Sequence, residues 1–329
     1  MTAVHGGRLF AIARERGWDW RDILDFSASI NPLGPSPKAI EAIHAAVDEI
    51  AHYPESHPQE LTLALANAWS VKDDEILLGN GATELIHFLA AVFRDQQTTL
   101  CAPVFSEFHR VFPQAAISKT WPEFGLTVIS RPVNPTGELP PIEDWLTRTN
   151  HMVIVDESFI DFAEVPSLAS LIATRPNLVV LRSLTKFHGI PGLRVGALLA
   201  APNTIAVWKT KRDPWSVNVL AIRAACASLA DRQHSWRTLE TVRVERAWLM
   251  DAVRQLGVEV NPSTANYLFA RLPYPAARLS DFLEERKILI RDCMGWPGIS
   301  GDNGIRIAIR TRPDNERLIT AWKDFPCES

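Results

Sequence analysis

The chain has 329 residues, enough to bury a sizeable core in one large domain and a smaller one. Hydrophobic residues make up 47% and charged residues 22%, an ordinary globular balance, and 34 basic against 38 acidic residues leave a formal net charge of −4. That balance excludes a strongly basic partner surface for nucleic acid or anionic membrane, while leaving room for a local basic pocket that takes a small anion.

From the N-terminus onward, residues 1–7 carry no apolar run of the signal-peptide kind. No apolar stretch approaches the roughly 20 residues of a membrane span. Cys101, Cys226, Cys293 and Cys327 are scattered singly, with neither disulfide-framework nor zinc-site spacing. A reducing cytoplasm and no metal are the expectation. Helical patterns at 37–50 and 59–69 are separated by 52–58, where two prolines break any helix.

The middle of the chain then alternates short apolar runs at 75–78, 98–102, 127–130, 152–156, 178–182 and 197–200 with helical patterns at 82–93, 107–112 and 142–147. This alternation predicts an α/β fold with a largely parallel sheet whose strands are buried on both faces. Long helices are predicted at 219–230 and 236–256, the second stopped by Gly257. Strands at 266–270, 288–291 and 304–309, with helices at 276–286 and 313–323, read as a small α+β domain. The expected division is 1–40 as a segment packing on the small domain or the cleft, 41–232 as the large domain, and 233–329 as the small one. The eleven tryptophans are mostly assigned to packing.

The strongest local signal is Ser183-Leu184-Thr185-Lys186-Phe187-His188-Gly189-Ile190-Pro191-Gly192-Leu193-Arg194. A lysine just past a buried parallel strand lies at the carboxyl end of the sheet, where α/β proteins place ligands. Desolvated there, its amine becomes nucleophilic toward an aldehyde. Ser183 and Arg194 flank it and can share one phosphate, Arg194 through a bidentate fork. Taken alone, a lysine in a Gly/Pro turn is an ordinary surface residue; its company changes that.

Asp156 ends the apolar run Val153-Ile154-Val155, where a buried carboxylate needs a cationic partner such as a protonated ring nitrogen. A helix cap or structural ion pair serves equally well at this stage, and the neighbouring Glu157 reads as structural. The turn Gly79-Asn80-Gly81-Ala82-Thr83-Glu84 leads from a strand into a helix, so the N–H groups of Gly81, Ala82 and Thr83 are expected to face an anion. Asn134, in Asn134-Pro135-Thr136-Gly137, is able to bond a ring hydroxyl or simply to make a turn. Phe105 follows a strand and is placed to stack on a flat ring, or to fill the core.

In this order the motifs resemble the fold-type I pyridoxal-5′-phosphate (PLP) enzymes, the aspartate aminotransferase superfamily, over nearly the whole chain. The stretches His5-Gly6-Gly7, 25–34, 182–194, 214–218 and 288–293 are similar to its threonine-phosphate decarboxylase branch, itself related to the histidinol-phosphate aminotransferases. The resemblance implies a three-layer αβα large domain and a small α+β domain. It implies that Lys186 carries PLP as a Schiff base and that Asp156 pairs with the pyridine nitrogen. Asn134 then bonds the ring hydroxyl, Phe105 stacks on the ring, and Gly81, Ala82, Thr83, Ser183 and Arg194 hold the cofactor phosphate.

Tyr53 matches a tyrosine reaching the phosphate of the neighbouring subunit, which implies a homodimer with shared sites. Arg306 matches the arginine gripping the substrate α-carboxylate, with Asn31 beside it. His5 and Arg291 are the candidates for a phosphate on the substrate itself, a phosphorylated amino acid. One departure matters: Phe159 stands where aminotransferases of this group carry a tyrosine bonded to the ring oxygen, which favours the decarboxylase branch. Decarboxylation of a phospho-amino acid leads; transamination and a non-catalytic PLP-binding module are the alternatives.

Overall fold

The computed structural model describes residues 6–326 of the chain. Near the N-terminus lies the two-residue strand β1 (Leu24–Asp25). The apolar runs of the middle region become β2 (Ile76–Gly79), β3 (Thr98–Cys101), β4 (Ala116–Ser118), β5 (Leu126–Ser130), β6 (Val153–Asp156), β7 (Leu178–Ser183) and β8 (Gly196–Leu199). They form one seven-stranded sheet in the order β2-β8-β7-β6-β5-β3-β4. From β7 to β4 every neighbouring pair is parallel, whereas β8 runs against both β7 and β2. The reversal has a local cause. Between β7 and β8 lie only the short helix Leu184–Phe187 and one 3-10 turn, too little for the crossover that a parallel neighbour needs.

Alternate residues of each strand serve opposite faces. Val153 and Val155 enter one apolar cluster with Leu65, Ala221 and Ile222, while Ile154 enters another with Leu85, Leu89 and Phe108. Helices therefore cover both faces, and the large unit has three layers.

The C-terminal region holds β9 (Glu259–Val260), β10 (Tyr267–Arg271), β11 (Ile288–Leu289), β12 (Arg291–Asp292) and β13 (Gly304–Ala308). Four of these make a sheet in the order β12-β13-β10-β9 over a separate core. β11 pairs instead with β1, and Phe26 is wholly buried in the same core, so the N-terminal segment packs on the small unit.

Three predicted elements differ. The 37–50 helix stops at Ala45 and continues as a 3-10 turn, Val47–Ala51, where Val47 and Ile50 stay exposed and no packing extends the α-helical phase. The single strand at 288–291 is two strands in different sheets, divided at the buried Ile290. The 236–256 helix begins earlier, at Arg232, because the Asp231 side chain accepts the His234 N–H as its cap. Helices Leu9–Arg16 and Pro202–Lys209 and the edge strand β4 were not predicted. Among the described residues no helix is long and apolar enough to cross a membrane.

Candidate active site

The register of the sheet brings the candidate residues to one edge. Gly196 at the start of β8 faces Gly79 at the end of β2 and Ser183 at the end of β7. Asp156 ends β6 and faces Ser130, which ends β5. The carboxyl ends of five strands thus deliver the β2 glycine turn, Phe105, Asn134, Asp156 and the Lys186 turn to one crevice.

Lys186 Nζ donates to Ser183 Oγ at 3.2 Å and stands 5.0 Å from the centre of the Phe159 ring. Burial pushes its pKa down to about 8; Asp156 opposes the shift, and Arg194 and Arg306 add to it. Asp156 is buried, and desolvation raises its pKa against the pull of the Ser158 N–H at 2.9 Å and the Lys186 charge. Such a carboxylate gains most from a cation placed against it.

At the other side of the crevice the Gly81 and Gly196 backbones create space. A Cβ on Gly81, whose φ is +84°, would lie 2.3 Å from Arg194 Nη2, and one on Gly196 would lie 2.8 Å from the Ala82 nitrogen. Helix Ala82–Val92 starts there, and its first N–H groups have no intrahelical acceptor. One expectation is corrected: the Gly81 N–H is already donated to the Gly79 carbonyl at 2.8 Å, so Gly81 contributes room, not a donor. Arg194 also spends one arm of its fork on the Pro191 carbonyl at 3.0 Å.

Arg306 is buried on β13. It donates to Asn134 Oδ1 at 2.7 Å and to the Ser27 carbonyl at 2.9 Å, and burial lowers its pKa. It therefore ties β13, the loop after β5 and the N-terminal segment together. Arg291 faces Arg306 directly across the β12–β13 ladder, and its guanidinium has no hydrogen bond or ion pair among the described residues. Tyr267 packs edge-on to Phe159 at 4.9 Å, but its hydroxyl is spent on the Val133 carbonyl at 3.0 Å.

Asn31 braces the turn that carries Lys186, and Tyr53 lies at the surface. Asn31 is buried, with its amide hydrogens donated to the Phe187 carbonyl and Thr238 Oγ1, both at 2.8 Å, while its oxygen accepts the Leu33 N–H. No amide hydrogen is left over for a carboxylate. Tyr53 is 82% exposed and stacks on Trp215 with ring centres 4.9 Å apart, away from the crevice of its own chain. His5 lies outside the described residues. Glu157 accepts from Arg131, Ser167 and the Leu168 N–H, and so is structural. Sequence reasoning missed Ser27, Gly196 and Trp296, whose relation to the site depends on distant strands and leaves no local signal.

A cup with a cleared helix N-terminus, a partly neutral lysine and a buried carboxylate fits a phosphorylated aldehyde with a basic ring, and PLP is the cofactor. The model of the family "Aminotransferase class I and II" matches residues 21–119 and 113–321. The threonine-phosphate decarboxylase of Salmonella typhimurium is 34% identical, covering 98% of this chain and 96% of its own length. The histidinol-phosphate aminotransferase of Symbiobacterium thermophilum is 32% identical, covering 97% and 94%. Among solved structures, the histidinol-phosphate aminotransferase of Sinorhizobium meliloti in complex with pyridoxal-5′-phosphate shares the fold, with a TM-score of 0.84, 20% identity and coverage of 97% and 94%. Fold, site and kinship agree over almost the whole chain, which belongs to the class I and II aminotransferase family of PLP-dependent enzymes.

Proposed function

We propose that the chain decarboxylates L-threonine O-3-phosphate to (R)-1-amino-2-propanol O-phosphate in cobalamin biosynthesis, as a cytoplasmic homodimer with shared active sites. The observation that carries this reading is the pair of guanidinium groups on facing residues, Arg306 and Arg291, with no carboxylate bonded to either among the described residues. Two cations held side by side cost energy that a substrate with two anionic groups recovers. Threonine phosphate brings a carboxylate and a phosphate on neighbouring carbons; histidinol phosphate brings one anionic group, although the 2-oxoglutarate of a transamination brings two, so the acceptor dependence is what separates the readings.

When bound, PLP supplies an electron sink that weakens whichever Cα bond stands perpendicular to its ring. The chain's own residues choose that bond. Arg306 holds the substrate carboxylate, Arg291 takes the phosphate, and together they set the rotation about the Cα–N bond. Asp156 holds the proton on the ring nitrogen. Lys186, with a pKa of about 8, returns a proton from Nζ to Cα. Phe159 offers no hydroxyl to the ring oxygen, and the Tyr267 hydroxyl is tied to Val133.

The aminotransferase relative, similar to almost the same degree, supports transamination as a second reading. Incubation with threonine phosphate, serine phosphate and histidinol phosphate, with and without 2-oxoglutarate, separates the two. Carbon dioxide release from threonine phosphate without an acceptor is the expected result. Glutamate formation that requires 2-oxoglutarate, with no carbon dioxide, would sink the first reading and establish the second.

A further inference from the structure

We propose that Trp296 determines specificity by donating its indole N–H to the second anionic group of the substrate, beside Arg291. The inference rests on the reading that the substrate carries a phosphate in addition to its carboxylate.

Trp296 is buried in the turn that follows β12, packed with Phe269, Cys293, Phe105 and Ile299. Its ring centre lies 5.4 Å from Arg291 Cζ and 5.7 Å from Arg306 Cζ, so the indole packs against both guanidinium groups. A buried tryptophan ordinarily finds an acceptor for its N–H. Among the described residues the Trp296 indole nitrogen has none, and neither does the Nε of Arg291 or of Arg306. One orphaned donor is compatible with packing alone. Three in a single contact cluster, all donors, call for an acceptor with several lone pairs.

The neighbouring carboxylates do not fill that role. Asp292 accepts the Met294 N–H at 2.7 Å, and Asp25 accepts the N–H and hydroxyl of Ser27 at 2.8 and 2.6 Å.

The turn is also held still. The Trp296 backbone N–H bonds the Cys293 carbonyl at 3.1 Å, and the Ile299 backbone N–H bonds the Trp296 carbonyl at 2.9 Å. Across the crevice the Val104 N–H reaches the Pro297 carbonyl at 3.3 Å. Gly298 sits so close to the turn after β3 that a Cβ there would lie 2.4 Å from the Ala102 Cβ. The indole is thereby fixed between the small sheet and the β3 turn that carries Phe105, as a preorganised donor has to be. A phosphate, with its three outer oxygens, matches one guanidinium and one indole N–H at once.

The test uses the holoenzyme and two ligands, O-phospho-L-threonine and L-threonine. Apparent dissociation constants come from the change in cofactor absorbance on rapid mixing, before turnover. The wild type is expected to prefer the phosphate ester. Trp296→Phe keeps the ring and removes the donor; it should weaken O-phospho-L-threonine about tenfold, the scale of one hydrogen bond to a charged group, and leave L-threonine unchanged. If Trp296→Phe keeps the full preference, or weakens both ligands equally, the role of Trp296 is refuted while the phosphate reading stands. A wild type that does not discriminate refutes the phosphate reading and the proposal with it. Should Trp296→Phe lose its cofactor band, Trp296→His, which retains a ring N–H, decides: kept preference supports the proposal and lost preference overturns it.

Discussion

As the proposed Schiff-base lysine, Lys186 has to be neutral to attack an aldehyde, and its surroundings shift it in that direction. Desolvation outweighs the attraction of Asp156 and brings the pKa to about 8, while Arg194 and Arg306 push the same way. Below that value the ammonium has no lone pair to offer. The second-order rate of PLP capture by the apoenzyme should therefore rise with pH and level off above about 8, as followed by stopped-flow absorbance. Asp156→Asn removes the opposing charge and should move the midpoint to lower pH; an unchanged midpoint would disconnect the two residues. Lys186, Asp156, Ser183 and Arg194 were legible because each sits in a local strand-turn pattern whose chemistry can be read along a few residues. The bracing role of Asn31 was not legible, because its partners, Phe187 and Thr238, are 156 and 207 residues away. Trp296 gave no local signal for the same reason.

At the scale of elements, the proposed phosphate cup depends on close approach between β8 and the start of helix Ala82–Val92. A methyl group at Gly196 meets backbone on two sides, the Ala82 nitrogen at 2.8 Å and the Arg182 carbonyl oxygen at 3.0 Å. Gly196→Ala should accordingly raise the PLP dissociation constant at least about tenfold, measured by titrating apoenzyme with PLP. Gly257→Ala is the matched control: its φ is +77° but open space surrounds the new Cβ, so it should lower melting temperature and leave PLP affinity intact. Equal effects of the two would mean that backbone strain, not access to the cup, sets the affinity. The strand runs were readable as apolar segments, but the direction of β8 was not, since it follows from the short link after β7.

Across the whole molecule, Tyr53 and Trp215 stand exposed together on the surface. In the proposed homodimer Tyr53 serves the partner's site, and complementation tests this. Lys186→Ala and Tyr53→Ala subunits, each weak alone, recover roughly a quarter of wild-type activity when unfolded and refolded as a mixture, because half the dimers are mixed and each has one intact site. No recovery above the sum of the separate variants would refute shared sites.

Sequence alone was enough to determine the βα alternation and to single out Lys186 and Asp156 as candidates for the cofactor, because buried strands and the turns at their ends are local patterns. Tertiary structure decided what depends on strand order and long-range register. It set Arg291 against Arg306, joined Arg306 to Asn134 across 172 residues, and used the Gly81 N–H inside its own turn. It also drew Trp296 against both arginines. Those contacts arise only when two sheets built from separate parts of the chain close on one crevice.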